Sequence, residues 1–194
     1  MEARTAPFSP VDSPDAATQR RIADQLNSTV SGRSLGRLGA IGAWVAGAQG
    51  LAAPQPFSRA RAVIVAGNHG IAQRGVSAWR GDAAAAQAAD IAAGGGPVGA
   101  AARLSGASVR LVDDYLGTPT APIDISPAMS AEVGEAALKA GAEIADQEID
   151  AGTDVILPGD LAVGNTTVAA ALYGTFTRTE PVKAIGRGSG ISDE

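Results

Sequence analysis

The chain contains no cysteine, which excludes a disulfide framework and thiolate chemistry. A lone histidine excludes a histidine-rich metal cluster. Positive charge is in deficit: 15 lysines and arginines stand against 20 acidic residues, for a net charge of −5. The basic footprint of a nucleic-acid binder is therefore missing. No apolar run reaches the roughly 18 residues that a membrane span needs, and the polar start of the chain has no apolar signal segment. These absences lead to the expectation of a cytoplasmic protein that acts on small molecules, without a metal or cofactor and without nucleic-acid or membrane partners. What is present is a globular composition, 45% hydrophobic over 194 residues and with 25 glycines. Such a length holds one sizeable core and is marginal for two. Abundant glycine and alanine suit helices packed closely on a sheet.

Along the chain, Ser13-Pro14-Asp15 reads as an N-cap, a first-turn proline and an acid at the positive end of a helix that runs through Leu26. Ser34 is placed to cap a second helix, with Leu35, Leu38, Ile41 and Val45 at helical spacing and Gly50 as its stop. A proline-bearing connector covers 51–58. The pattern then changes. Ala62-Val63-Ile64-Val65-Ala66 is a continuous apolar run, as in a strand buried on both faces. Three similar runs predict strands near 108–112, 153–157 and 181–185. Helical stretches lie between them at 82–93, 98–104, 129–149 and 166–176, and residues 115–128 read as a loop. Strands alternating with helices predict a parallel sheet with right-handed crossovers. The expected fold class is therefore α/β: a three-layer, Rossmann-like parallel sheet over 59–194, with residues 1–58 as an N-terminal helical appendage.

In an open parallel sheet, ligands bind beyond the carboxyl ends of the strands. The glycine-bearing segments Gly67-Asn68-His69-Gly70, Gly159-Asp160 and Gly186-Arg187-Gly188-Ser189-Gly190 all follow predicted strands. The most informative is Gly164-Asn165-Thr166-Thr167, where a turn opens into the helix through Val168 and Leu172. A helix start offers unpaired N–H groups and the positive end of the helix dipole, and the threonine hydroxyls can add hydrogen bonds to phosphate oxygens. Together these loops point to a sugar-phosphate or nucleotide pocket. Other readings stand beside that one. Asn165 and the threonines are also ordinary caps, His69 equally suits a loop-holding or a ligand-contacting role, and Trp79 suits packing or stacking. Asp160 fits either a turn or a supporting role in orienting substrate, whereas Arg187 favours an anion contact.

Several segments, in order, resemble the nicotinate-nucleotide:dimethylbenzimidazole phosphoribosyltransferase family. They are Ser34-Leu35-Gly36-Arg37-Leu38, Asn68-His69-Gly70 with Gly75-Val76-Ser77-Ala78, the pair Gly94-Gly95, the loop Gly159-Asp160-Leu161-Ala162-Val163-Gly164-Asn165-Thr166-Thr167, and Gly186-Arg187-Gly188-Ser189-Gly190. The resemblance covers nearly the whole chain but roughly the first half of the family's length. It implies transfer of the phosphoribosyl group of nicotinate mononucleotide to 5,6-dimethylbenzimidazole, giving α-ribazole 5′-phosphate and nicotinate. It implies a substrate site of Ser77, Trp79, Asp160, Leu161, Gly164, Asn165, Thr166, Thr167, Arg187 and Gly188, with phosphate at 164–167 and the flat base beside Ser77, Ala78 and Trp79. It also implies a homodimer, or pairing with a second-half chain. The family's base is a glutamate late in a longer chain, and Glu194 does not match it. Asp160, Leu161 and Ala162 stand where the family has Glu-Met-Gly, and the family's glutamine aligns with Ala86, next to Gln87. The alternative reading is a partial paralogue that binds nucleotide or benzimidazole without turnover.

Overall fold

The computed structural model describes residue 8 and residues 10–191. The chain divides into two compact units, Met1–Pro56 and Phe57–Glu194.

The first unit is helical: α1 (Ala16–Asn27), α2 (Val30–Ser34) and α3 (Arg37–Gln49). The cap of α1 is Asp15 rather than the expected Ser13, because the Asp15 carboxylate accepts from the N–H groups of Ala17 and Thr18 and from the Thr18 hydroxyl. Its carboxyl is held below the ordinary aspartate value, first by the Thr18 hydroxyl and then by the Ala17 N–H. Ser34 ends α2 instead of capping the next helix. Thr29 caps α2 through a bond from the Gly32 N–H, and α3 starts one turn later from Gly36. Small buried residues, Gly39, Ala43, Ala46 and Gly47, form the inner side of α3, and α1 packs against it.

The second unit is built on three parallel strands: β1 (Ala60–Gly67), β2 (Ser108–Tyr115) and β3 (Val155–Leu161), in the order β2-β1-β3. Between β1 and β2 run a 3₁₀ turn (Gly70–Arg74), α4 (Ala83–Ala92) and α5 (Gly96–Ser105); between β2 and β3 runs α6 (Ala131–Asp150). After β3 come α7 (Asn165–Thr177) and α8 (Pro181–Ala184). The crossover from β1 leads one way and the crossover from β2 returns past β1 to its other side. Right-handed crossovers in opposite directions put helices on both faces of the sheet. The core gathers Val63, Ile64 and Ala66 of β1, Val112 of β2, Ala84 and Ala88 of α4, and Ala102 of α5. Alanine on the helices lets them lie close to the branched side chains of the sheet.

One strand expectation fails. Residues 181–185 are not a strand: Pro181 starts the short helix α8, with Glu180 before it and a Lys183–Glu180 ion pair at 3.0 Å. Proline's fixed φ suits the first turn of a helix, and among the described residues this segment pairs with no strand that could satisfy an extended backbone. A second difference is that β3 continues through Pro158, Gly159 and Asp160, which had read as a turn. Val63 pairs with Pro158, Ile64 with Gly159 and Val65 with Asp160. Proline is tolerated there because β3 lies at the edge of the sheet.

The crossover α6 is clipped to the sheet by Glu148, whose residue is 2% exposed. Its carboxylate accepts from Arg61 Nε at 2.8 Å, Arg110 Nη1 at 2.9 Å and Thr153 Oγ1 at 3.2 Å. Arg61 lies two residues before Val63, and Val63 pairs with Arg110. By the two-residue period of a strand, both arginines project from the same face.

Candidate substrate site at the switch point of the sheet

The strand order reverses between β1 and β3, so the crevice of this sheet opens at their carboxyl ends. A cleft of about 230 Å³ lies there. The end of β3 contributes Leu161 to its wall, the turn after it Ala162, Val163 and Gly164, and the start of α7 Asn165 and Thr166. The segment after β1 contributes Ser77 and Trp79, α4 contributes Ala84 and Gln87, and Ser189 closes the rim. The wall therefore combines an indole and aliphatic side chains with hydroxyls and carboxamides. No charged side chain lines it among the described residues.

Backbone geometry shapes the α7 mouth. Gly164 caps α7 with φ 90° and ψ 10°, a left-handed conformation that side chains other than glycine adopt at a cost. A Cβ on Gly164 would also sit tightly against Val76 Cγ2 at 3.3 Å and in contact with Ile71 Cγ2 at 3.5 Å. The N–H groups of Thr167 and Val168 donate to Gly164 O, so those of Asn165 and Thr166 face the start of the helix. That is where the helix dipole favours an anion.

The late glycine loop is bound to the segment after β1. Ala78 N donates to Ser189 O at 2.9 Å and Ser77 Oγ donates to the same carbonyl at 3.4 Å. A Cβ on Gly188 would collide with the Val76 carbonyl, so only glycine permits this approach. Ser77 Oγ also accepts from Trp79 N at 3.2 Å, which fixes the turn that presents the indole.

Of the residues read from the sequence, the structure brings Ser77, Trp79, Leu161, Gly164, Asn165 and Thr166 together around the cleft. Asp160, Thr167, Arg187 and Gly188 lie outside its wall. Asp160 is exposed on β3, and a strand's alternation turns it away from the face of its neighbour Leu161. Thr167 sits one residue further into α7. Arg187 is exposed, and Gly188 supports the rim from behind. Ala84, Gln87, Ala162, Val163 and Ser189 line the cleft but were not among the expected site residues. Ala162, Val163 and Ser189 lay inside segments already read as motifs, and Gln87 was the neighbour of the position aligned with the family's glutamine; Ala84 carried no signal. No group of three or more histidine, aspartate and glutamate side chains fit to hold a metal occurs among the described residues.

A parallel sheet whose reversal point opens onto a glycine-capped helix start defines an open α/β domain with its ligand crevice at the carboxyl ends of the strands. The family model described as "Phosphoribosyltransferase" matches residues 11–194, and the chain belongs to the nicotinate-nucleotide–dimethylbenzimidazole phosphoribosyltransferase family. It is 43% identical to a protein of that name from Corynebacterium glutamicum over 198 residues, which covers 96% of this chain and 55% of that protein. It is 42% identical to the protein of the same name from Mycobacterium avium, covering 97% of this chain and 57% of the relative. Among solved structures, CobT from Thermus thermophilus superposes with a TM-score of 0.80 at 31% identity, over 91% of this chain and 57% of CobT. The chain thus spans about half the length of the curated relatives it matches.

Proposed function

We propose that this chain binds nicotinate mononucleotide and 5,6-dimethylbenzimidazole in the switch-point cleft and takes part in transfer of the phosphoribosyl group between them, yielding α-ribazole 5′-phosphate and nicotinate. The observation that carries the reading is the convergence, in one cleft, of the α7 mouth with Ser77 and Trp79, in a chain with relatives named for this reaction. In this reading the phosphate rests on the N–H groups of Asn165 and Thr166 and on the Thr166 hydroxyl. Asp160, Thr167, Arg187 and Gly188 act from outside the wall, as second contacts or supports. The flat base lies against Trp79 and Leu161, with the Ser77 hydroxyl as its polar handle. The protein works in the cytoplasm, as a homodimer or beside a second polypeptide. Support for a partner comes from α7, which buries no residue and leaves Leu172, Tyr173 and Phe176 exposed.

Attack by one ring nitrogen of the benzimidazole on C1 of the ribose breaks the bond to nicotinate. The other ring nitrogen must then release its proton to a base. Among the described residues the cleft wall holds no carboxylate, and this favours a second reading, in which the chain binds the substrates without turning them over. Incubating the protein with both substrates and looking for α-ribazole phosphate by chromatography separates the two. Product supports transfer, saturable binding without product supports the second reading, and no binding of either compound removes both.

Thr166→Val tests the phosphate contact. The substitution keeps the side-chain shape and deletes one hydroxyl, so nicotinate mononucleotide affinity is expected to fall about tenfold, the loss of one hydrogen bond to a charged group. Calorimetric titration should show dimethylbenzimidazole affinity unchanged.

A further inference from the structure

We infer that His69 is a positioning residue: its ring holds the Asn165 carboxamide so that the NH₂ edge of Asn165 is left free to donate to an oxygen of the bound nucleotide. The inference rests on the proposed nucleotide site and names the group that sets its donor pattern.

His69 Nε2 lies 2.8 Å from Asn165 Oδ1. With the carboxamide oxygen turned toward the ring, this bond forms in the tautomer whose Nε2 carries the proton and donates, because a carboxamide oxygen only accepts. The two residues are far apart in sequence and adjacent in space for a topological reason. His69 stands in the turn after β1, with φ −105° and ψ 128°, and Asn165 is the first residue of α7 after β3. Because β1 and β3 are neighbours in the sheet, this bond spans the crevice at their carboxyl ends.

His69 does not line the cleft, whereas Asn165 does; the imidazole acts from behind. Its own turn is tied on the other side: Asn68 Nδ2 donates to Leu116 O, and Thr120 N donates to Asn68 O at 3.0 Å. The ring is thus a strut between a fixed turn and the helix start. The Asn165 Nδ2 atom, by contrast, takes no acceptor among the described residues.

The consequence is chemical. A carboxamide can rotate by half a turn and exchange its donor and acceptor edges with little change in shape. A protonated Nε2 fixes the oxygen inward and so leaves the donor edge outward. The cleft wall has no cationic side chain among the described residues, so a phosphate or carboxylate oxygen there depends on neutral donors. Asn165 Nδ2 is one of a small set, with the Thr166 hydroxyl and the N–H groups at the α7 mouth. Without His69 the carboxamide loses the partner that sets its orientation, and part of its population presents an oxygen to the ligand's oxygen.

The single histidine in the chain makes the test specific. The full chain is labelled with ¹⁵N-histidine and its one imidazole is read in long-range ¹H–¹⁵N spectra, without ligand, at a pH where the ring is neutral. The Nε2–H tautomer is expected, and Asn165→Ala should change the Nε2 signals. A predominant Nδ1–H tautomer overturns the inference. In calorimetric titrations, His69→Ala and Asn165→Ala are each expected to weaken nicotinate mononucleotide binding about tenfold, with the double variant no worse than either single one. His69→Gln, which keeps an N–H donor, should recover most of the loss, and dimethylbenzimidazole affinity should stay at the wild-type level. Equal losses for both ligands, or additive losses in the double variant, mean that His69 only holds the fold and overturn the inference. If the wild-type chain binds no nicotinate mononucleotide, the proposed function fails, and the tautomer spectrum alone then decides the His69–Asn165 bond.

Discussion

Glu148→Leu is expected to destabilise the Phe57–Glu194 unit by about 3 kcal/mol, the lower end of what breaking a buried ion pair costs. The lower end applies because the arginine partners are not fully enclosed: the Arg61 and Arg110 side chains are 31% and 29% exposed, against 2% for Glu148. Leucine fills a similar volume but leaves two guanidinium groups on adjacent strands without a counter-charge, and it strips the Thr153 hydroxyl of its acceptor. Urea midpoints of the two proteins should differ accordingly, with similar slopes. Glu148→Gln, which keeps an acceptor oxygen, should lose less. The same site gives a pH dependence. The Glu148 carboxyl is held below the ordinary glutamate value of 4.5, first by the Arg110 hydrogen bond and then by Arg61. A depressed carboxylate stabilises the fold at any pH above its unfolded value, and that contribution is lost as pH falls through the folded value. The stability gap between wild type and Glu148→Gln should therefore be flat from neutral pH down to about 4.5 and shrink below it. A gap that widens on acidification contradicts the ion-pair account.

Gly164→Val is the second large effect, because it acts on fold and site together. A β-branched residue at φ 90° carries backbone strain, and its methyl groups meet Val76 and Ile71, the latter itself buried. Strain and overpacking each cost of order 1–3 kcal/mol, so a total of about 3 kcal/mol is expected. Relief requires the α7 start to move, which takes the Asn165 and Thr166 N–H groups out of line. Nicotinate mononucleotide binding should then fall more than tenfold in the fraction that stays folded. The check is a calorimetric titration at a temperature where circular dichroism shows the variant folded. Wild-type affinity in a folded variant removes the α7 mouth from the site.

What the sequence revealed depended on how local the cause was. The apolar run at 62–66 announced β1 because a strand covered on both faces carries its signal in its own residues. The turn at Gly164 and the cap residues Asn165 and Thr166 marked the start of α7, because such chemistry acts over three or four residues. Residues 181–185 had the composition of a strand, but strand formation needs a neighbour to pair with, and composition does not reveal one. Pro158-Gly159 had the composition of a turn, yet an edge strand accommodates both residues. The same limit applies to the cleft. The segments around Ser77, 164–167 and 186–190 could be read as motifs, whereas Ala84 joins only through its place on α4. The Glu148 cluster was invisible: nothing in the acid-rich end of α6 marks which carboxylate turns inward, and Arg61 and Arg110 lie 87 and 38 residues away. The 96-residue separation of His69 and Asn165 hid their bond for the same reason.

The central claim is that the mouth of α7 holds the phosphate of a nucleotide, and a structure of the chain with nicotinate mononucleotide tests it most directly. Phosphate oxygens within hydrogen-bond reach of the Asn165 and Thr166 N–H groups, with the base beside Trp79, are the predicted result. A nucleotide bound elsewhere, or a cleft filled by the protein's own side chains at saturating ligand, would contradict it.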